Sequence, residues 1–211
     1  LRNTDNVSTA YEYDGLNRLI KVKNALDRET QHFYDQAGNR IRTIDRQNPD
    51  GTQGTHVTLS TYDALNRLET ETDAQGGVIR KTYDAVGNVA SMTDQNTHTK
   101  RFVYDPFYRL EQEIDAENNI TRYDYDAAGN RTLPTYPDST TVRYDYDSGH
   151  RLDRVTDALG EYRFYTHDAV GNRTAERDKR NFTASYRYDF LNRLISETNP
   201  QGTVTDYAYD A

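Results

Sequence analysis

The strongest constraint on this chain is a short unit that returns at a fixed interval. A Tyr-Asp pair recurs every 21 residues, with one longer interval of 28 residues, and His167-Asp168 fills the register where the tyrosine is missing. The ten registers begin at Tyr13, Tyr34, Tyr62, Tyr83, Tyr104, Tyr125, Tyr146, His167, Tyr188 and Tyr209. A constant period of this length indicates a repeat architecture, in which every unit forms the same supersecondary element.

The composition identifies the units as β-structure rather than disorder. Hydrophobic residues make up 34% of the chain and the net charge is -8, whereas ordinary globular domains are roughly 45–50% apolar. Those values alone are typical of disordered chains, but 18 tyrosines and 6 phenylalanines are not. Tyr and Thr favour strands, and Gly, Asn and Asp favour the turns between them. We therefore expect an ordered all-β protein with a thin core.

Two turns are predicted in every unit. The first follows the Tyr-Asp pair, and the second opens 11 residues after the tyrosine with Asp or Asn, as in Asp73-Ala74-Gln75-Gly76. Asp or Asn opening a type I turn, with Gly closing it in the left-handed region, is typical of a short hairpin connection. Tyr136-Pro137-Asp138 stands at this place in the sixth unit, so that turn is predicted to differ.

Alternate units differ after the Tyr-Asp pair. In one kind the pair is followed by Leu-Asn-Arg-Leu or a variant of it, as at Leu16-Asn17-Arg18-Leu19, and in the other by Gly-Asn one position later, as at Gly38-Asn39. The full period is therefore about 42 residues. The glycine predicts a bulged turn with positive φ in alternate units.

The predicted fold is an all-β, continuous antiparallel meander of repeated hairpins. We expect one array over residues 1–211, with a lengthened turn near residues 48–54 where the longer interval falls. Fifteen of the 18 tyrosines lie at the Tyr-Asp position or two residues before it, and this spacing places both rings on one face of a strand. One face of the sheet should therefore carry the rings and the other should carry charges.

The repetition of the aspartates argues against an enzyme. A catalytic site occurs once in a chain, whereas these carboxylates return in every unit, as expected of residues that build turns. The spacing matches no calcium loop, the 5 histidines have no metal-ligand spacing, and the chain has no cysteine, Gly-x-Ser-x-Gly elbow or phosphate-binding loop. We therefore predict no catalytic residue, no metal site and no cofactor.

One column of basic residues is a candidate binding site. Arg80, Arg101, Arg122 and Arg143 stand three positions before the tyrosine in four successive units. Their side chains suit an acidic partner or a glycan, and they also suit pairing with acidic neighbours on a solvated face. The second interpretation is favoured, since charges on a sheet surface usually serve that role. The acidic net charge disfavours nucleic acid as a partner.

The motifs resemble those of the Rhs or YD-repeat family. Tyr-Asp-x-x-Gly-Asn-Arg, as at Tyr125 to Arg131, followed by Thr-Asp-Ala-x-Gly at the 21-residue period, carries the resemblance over essentially the whole chain. It implies a long β-ribbon that spirals into a hollow shell, and a bacterial protein whose shell encloses a C-terminal toxin of the same polypeptide. It also implies a protein that is cytoplasmic before delivery and secreted or at the cell surface after export. No catalytic role carries over to any position here.

Two functions therefore stay open. The first is a structural segment of a toxin-enclosing shell, and the second is a carbohydrate- or cell-surface-binding module that uses exposed rings and the arginine column. No apolar run approaches the roughly 20 residues of a membrane span.

The two ends of the chain lead to an expectation about association. The chain begins at Leu1 and stops one residue after a Tyr-Asp pair, which we interpret as part of a longer protein. The last strand, predicted over residues 203–209, carries no Lys or Pro to protect an open edge. Self-association through terminal strands is therefore expected.

Overall fold

A computed structural model describes residues 8–47 and 53–210 of the protein. Residues 48–52, which make up most of the lengthened turn expected from the sequence, lie outside these ranges. Within them the chain forms β-strands and no helix, and therefore no helix that could cross a membrane.

The strands follow the predicted hairpin pattern along the described residues. They are β1 (Ala10–Tyr13), β2 (Leu19–Lys23), β3 (Glu29–Tyr34), β4 (Arg40–Gln47), β5 (Gln53–Tyr62), β6 (Leu68–Thr72), β7 (Val78–Tyr83), β8 (Val89–Thr93), β9 (Thr99–Tyr104), β10 (Leu110–Ile114), β11 (Ile120–Tyr125), β12 (Arg131–Thr135), β13 (Arg143–Tyr146), β14 (Leu152–Thr156), β15 (Tyr162–His167), β16 (Arg173–Arg177), β17 (Thr183–Tyr188), β18 (Leu194–Thr198) and β19 (Val204–Asp206).

The chain divides into two compact units, residues 1–102 and 103–211. In the first unit the strands from β1 to β9 pair in chain order, each antiparallel to the next. In the second unit β10 to β12 form one such meander and β13 to β19 form another. The all-β hairpin meander predicted from the repeat is confirmed.

Each meander is a single layer with almost no enclosed core. Among the described residues, the buried side chains are Ile44, Pro134 and Ser196. In β7 and β17 exposed residues alternate with half-buried ones, and the half-buried set includes the tyrosines. Stability must therefore come from cross-strand pairs and from the turns, with each pair contributing about 0.2–1 kcal/mol.

The bulges are not confined to alternate units, so that prediction is wrong. A register shift at the tyrosine occurs between Glu12 and Tyr13, before an Asn17-Arg18 turn, and between Phe33 and Tyr34, before a Gly38-Asn39 turn. Asn17 and Gly38 occupy equivalent positions, and both have positive φ. Asn enters the left-handed region more readily than most side chains. The exchange of Asn for Gly therefore keeps this residue in the left-handed region.

The sixth unit departs in its turn, as predicted, and also in its strands. The carboxylate that accepts Thr140 N, at 2.9 Å, belongs to Asp138, the third residue of the turn, because the first residue is Tyr136. The backbone bonds of the turn are nevertheless regular. Tyr136 N donates to Thr140 O and Ser139 N donates to Tyr136 O, both at 2.9 Å, as in the regular turns.

The strand pairing after this turn is reduced to an isolated bridge between residues 135 and 141. Pro134 accepts a hydrogen bond from Val142 N at 3.3 Å, but it has no N–H with which to donate one in return. The pair next to the bridge therefore has one backbone hydrogen bond where a regular pair has two. β12 and β13 therefore belong to separate ladders.

Candidate functional site

The repeated feature with the richest chemistry is the turn after each Tyr-Asp pair, which we call the Tyr-Asp turn. It runs for five residues from the aspartate, as in Asp14–Arg18. Asn17 N donates to Asp14 O at 2.9 Å, and Asp14 N donates to Arg18 O at 3.0 Å. The Asp14 carboxylate accepts from Leu16 N at 2.9 Å and from Arg18 N at 3.0 Å. The aspartate thus satisfies backbone donors that a tight turn leaves without a partner.

In turns of the first kind, the fifth residue is an arginine that reaches the next Tyr-Asp turn. Arg18 Nε donates to Asp14 Oδ2 at 2.7 Å, and Arg18 Nη1 donates to Asp35 O at 3.3 Å. Its guanidinium carbon also lies 4.7 Å from the centre of the Tyr34 ring. A cation over an aromatic face is attracted by the ring quadrupole. One side chain therefore bonds its own turn and the following one. The same arrangement recurs at Arg67, Arg109 and Arg193.

The arginine also sets the electrostatics of these turns. Hydrogen bonds from the Arg151 side chain, and then from its backbone N–H, lower the pKa of Asp147 to about 2. The pKa of Asp14 is lowered by the backbone N–H of Arg18 and by the guanidinium of the same residue. These carboxylates are therefore held ionised, which suits an acceptor of hydrogen bonds and does not suit a proton donor.

In turns of the second kind, the fifth residue is an asparagine with a shorter reach. Asn39 Nδ2 donates to Asp35 Oδ2 at 3.0 Å and to Asn66 Oδ1 at 2.8 Å in the following turn. Asn172 bonds Asn192 in the same way. Within each unit, arginine and asparagine contacts therefore alternate in joining successive Tyr-Asp turns.

The tyrosine hydroxyl explains why Tyr rather than Phe fills this position. Tyr34 Oη donates to Leu19 O, the first residue of the neighbouring strand, at 2.8 Å. The hydroxyl bonds the carbonyl 15 residues back at Tyr34, Tyr83, Tyr125, Tyr146, Tyr188 and Tyr209, and 22 residues back at Tyr62, where the interval is longer. Each ring thus fastens its strand to the start of the strand before it.

This role of the fifth residue was not predicted from the sequence. A signal was present, because Arg18, Arg67, Arg109 and Arg193 each precede a Tyr-Asp tyrosine by 16 residues. A spacing of 16 residues does not by itself predict that a turn contacts the next one. The contact also depends on the strand register, and the register shifts at the Tyr-Asp tyrosine, as at Tyr13 and Tyr34.

The arginine column predicted as a binding site is divided between the two units. Arg80 lies in β7, exposed and opposite Thr70 and Thr93, and Arg101 lies in β9 opposite Ser91. In the second unit, Arg122 lies in β11, exposed and opposite Gln112 and Thr135, and Arg143 lies in β13.

Arg143 pairs with an acidic neighbour, as the second interpretation of the arginine column predicts. Its Nε donates to Asp145 Oδ1 at 2.8 Å, and Asp145 also pairs with Arg154 at 2.9 Å. This guanidinium is therefore already engaged by the protein. No group of three His, Cys, Asp or Glu side chains in the described ranges could hold a metal ion.

The second unit also has an open groove of about 500 Å³, lined by Val142, Val155 and Tyr165. Charged residues of two turns also line it, and Lys179 pairs with Glu161 across those turns. A hydrogen bond from the Lys179 ammonium to Glu161, together with the negative charge of that carboxylate, raises the pKa of Lys179.

Comparison with known proteins gives two family matches. The family described as teneurin YD-shell matches residues 61–211, and the RHS repeat family matches residues 13–53. No curated protein sequence matches this chain.

Two solved structures resemble the chain in fold. The crystal structure of TcdB2-TccC3-Cdc42 aligns with a TM-score of 0.60 at 15% identity, over 90% of this chain and 13% of that chain. The crystal structure of TcdB2-TccC3-TEV aligns with a TM-score of 0.59 at 15% identity, over the same shares of 90% and 13%. The chain thus spans about 13% of the length of these proteins.

Proposed function

This chain belongs to the teneurin YD-shell family, and we propose that it is a structural segment of an RHS/YD-repeat shell. In this proposal the shell encloses a C-terminal toxin of the same polypeptide and helps to deliver it. The protein is bacterial, cytoplasmic before delivery and secreted or at the cell surface afterwards. The whole of residues 1–211 acts as one repeat array in that wall.

The observation that carries this proposal is the connection between successive Tyr-Asp turns. A single-layer sheet has almost no core, so a wall made from one needs fixed contacts between neighbouring hairpins. The Arg18 contacts to Asp35 and Tyr34 are of this kind, and they recur in both units. The engaged aspartates support a structural role because their lone pairs are occupied by the turn itself.

Protease protection in the full-length polypeptide tests this proposal. The intact protein and a variant carrying Asp105→Ala and Asp126→Ala would be treated with a protease, and the C-terminal segment would be followed by mass spectrometry. We expect the segment to survive in the intact protein and to be cut sooner in the variant, because the wall opens. Digestion at the rate of the isolated segment in the intact protein would contradict enclosure.

A glycan-binding module is the second candidate function, and it is favoured by the surroundings of Arg80. Arg80 is exposed, and its partners in register on the two neighbouring strands are Thr70 and Thr93. A guanidinium forms charge-assisted hydrogen bonds with carboxylates, which acidic sugars carry. Arg101 and Arg122 complete the proposed set, and Arg143 is left out of it because Asp145 already engages its guanidinium.

Retention on immobilised heparin at physiological salt tests the second function. We expect Arg80→Gln and Arg122→Gln to elute earlier than the wild type, and Arg143→Gln to serve as the matched control because Asp145 already holds it. Equal elution of all four proteins, or no retention of the wild type, would leave the shell as the single candidate.

A further inference from the structure

The strand pairing of the second unit is interrupted between β12 and β13. β10 to β12 form one meander and β13 to β19 form another. Between β12 and β13 the backbone contributes the bridge between residues 135 and 141 and the hydrogen bond from Val142 N to Pro134 O at 3.3 Å. β16 and β17, by comparison, form a regular ladder. We call the boundary between Arg131–Thr135 and Arg143–Tyr146 the seam.

Side-chain contacts hold the seam where the ladder is incomplete. Tyr146 Oη donates to Arg131 O at 3.0 Å, and the Arg131 guanidinium carbon lies 5.9 Å from the centre of the Tyr144 ring. A third contact joins two Tyr-Asp turns across the seam, where Asn130 Nδ2 lies 3.2 Å from His150 Nδ1. Because the backbone contributes little here, each of these contacts accounts for a larger share of the local stability than it would beside a complete ladder.

The contact between the two turns is the one that departs from the repeat. The equivalent contact joins Asn39 to Asn66 at 2.8 Å and Asn172 to Asn192 at 2.9 Å, so His150 stands where these turns carry an asparagine. The φ angles of His150 and Asn192 are 59° and 61°, so the difference lies in the side chain. An amide oxygen accepts a hydrogen bond whatever the pH, whereas a ring nitrogen accepts one only while it carries no proton.

A neighbouring carboxylate determines which group donates in this contact. Asn130 Nδ2 also donates to Asp126 Oδ2 at 2.8 Å, and this hydrogen bond is the main cause that lowers the pKa of Asp126. An ionised carboxylate only accepts, so the amide oxygen of Asn130 cannot take the place of its nitrogen. His150 Nδ1 must therefore be the acceptor, which requires a neutral ring with its proton on Nε2. A proton on Nδ1 would set one N–H against another.

We propose that the seam is pH-sensitive and loosens when His150 takes up a proton. Histidine is the side chain that ordinarily changes charge between about pH 8 and pH 5. The contact with Asn130 exists only for the neutral ring, so it is present at the upper end of this range and is lost as the pH falls. The contact between Asn172 and Asn192 has no group that titrates in this range. Acid therefore acts on the seam and leaves that second contact intact.

The charges around His150 do not offer its protonated ring an open partner. The charged side chains of its own turn, of the turns on either side and of the start of β12 are Asp126, Arg131, Asp147, Arg151 and Asp168. Each of the three carboxylates is already bonded by the fifth residue of its own turn. An imidazolium would have to displace one of those donors to form an ion pair. The two guanidinium groups disfavour its charge.

Hydrogen–deuterium exchange of the chain at pH 8 and pH 5, followed by mass spectrometry, tests this inference. Opening is measured against the exchange of the unstructured peptide at the same pH, for residues 135–146 at the seam and residues 173–188 in β16 and β17. We expect acid to increase opening of the wild-type seam by about two- to tenfold, the effect of losing one hydrogen bond. Residues 173–188 should not respond.

Three variants assign the response to one contact. His150→Asn restores the asparagine of the equivalent turns and should remove the response of the seam to acid. Asn130→Ala removes the donor and should remove it too, which provides a second measurement if His150→Asn fails to fold. His167→Tyr is the matched control, because it replaces the other histidine of the second unit with the tyrosine found in the remaining registers. This variant should keep the response.

Three outcomes would overturn the inference. The first is a wild-type seam that opens equally at both pH values. The second is a response that persists in both His150→Asn and Asn130→Ala, which would assign it to another group. The third is a seam that is better protected in acid, which would mean that the imidazolium has formed an ion pair with Asp126 or Asp147. None of these results bears on toxin enclosure, which the protease experiment tests separately.

Discussion

Two neighbouring turns of the second unit, Asp105–Arg109 and Asp126–Asn130, share a backbone and differ in reach. In both, the aspartate N–H donates to the fifth carbonyl at 2.9 Å and the fourth residue has positive φ. Arg109 lies 4.5 Å from the Tyr125 ring centre and donates to Asp126 O at 3.3 Å. Asn130 donates to the carboxylate of its own turn at 2.8 Å and to the His150 ring at 3.2 Å. The aspartate and the left-handed residue thus fix the turn, and the fifth residue determines its connection to the next one.

The largest effect is expected when the aspartate itself is removed. Asp105→Ala and Asp126→Ala each leave two backbone N–H groups of the turn without their carboxylate acceptor. Asp105→Ala also releases Arg109 from its fixed position over Tyr125. We therefore expect both variants to lower the melting temperature, and Asp105→Ala to lower it more.

Conservative variants control this comparison. Asp105→Asn and Asp126→Asn keep an oxygen acceptor for the backbone, so both should recover part of the loss. Thermal unfolding followed by circular dichroism provides the measurement. Equal melting temperatures for the two alanine variants would show that the arginine does not couple its turn to the next one.

The hydroxyl of the tyrosine should contribute equally behind either kind of turn. Tyr125 Oη donates to Leu110 O at 2.8 Å and Tyr146 Oη donates to Arg131 O at 3.0 Å. Tyr125→Phe and Tyr146→Phe each remove one such bond, with an expected loss of about 1 kcal/mol in the free energy of unfolding. Urea unfolding checks the value. A twofold difference between the two would mean that the turn kind alters the hydroxyl bond as well.

The fifth residue should have a smaller effect that differs between the two kinds of turn. Arg109→Gln removes the cation over Tyr125, which is worth about 0.5–1 kcal/mol at an exposed site. Asn130→Ala removes one half-buried and one exposed side-chain hydrogen bond and no cation–ring contact, so its loss should be smaller. A double variant of Arg109→Gln with Tyr125→Leu measures the coupling directly. Additive losses in this cycle would exclude a contribution from the ring contact.

The smallest effect concerns the acid limit of stability. The pKa of Asp147 is lowered from 3.8 to about 2, so folding favours the ionised carboxylate. The resulting stability is complete above pH 4 and is lost as the pH falls toward 2. Arg151→Gln should weaken the shift, and the difference in stability between wild type and variant should therefore shrink as the pH falls through this range. A constant difference from pH 6 to pH 2 would rule out this cause.

Much of the fold could be predicted from the sequence because the repeat is local. Asp or Asn with Gly three residues later specifies a turn of known length, and the spacing of Tyr123 and Tyr125 specifies one face of a strand. Hence strands such as β2 (Leu19–Lys23) begin and end where the pattern indicates. The strand pairing of the sixth unit was harder to predict from the sequence. Pro134 has no N–H to donate, and the residue paired with it, Val142, lies beyond the turn.

The sequence by itself determined the all-β class, the hairpin period and the family of this protein, because these follow from residues close together in the chain. The tertiary structure decided which groups meet across hairpins. The Arg18 guanidinium reaches Asp35 O 17 residues away, and the Tyr34 hydroxyl reaches a carbonyl 15 residues back. Both contacts depend on the strand register, which shifts at the Tyr-Asp tyrosine in strands such as β1, β3 and β11. A one-residue shift of register exchanges the faces of a strand, so these contacts are specified by the paired sheet and not by the repeat unit alone.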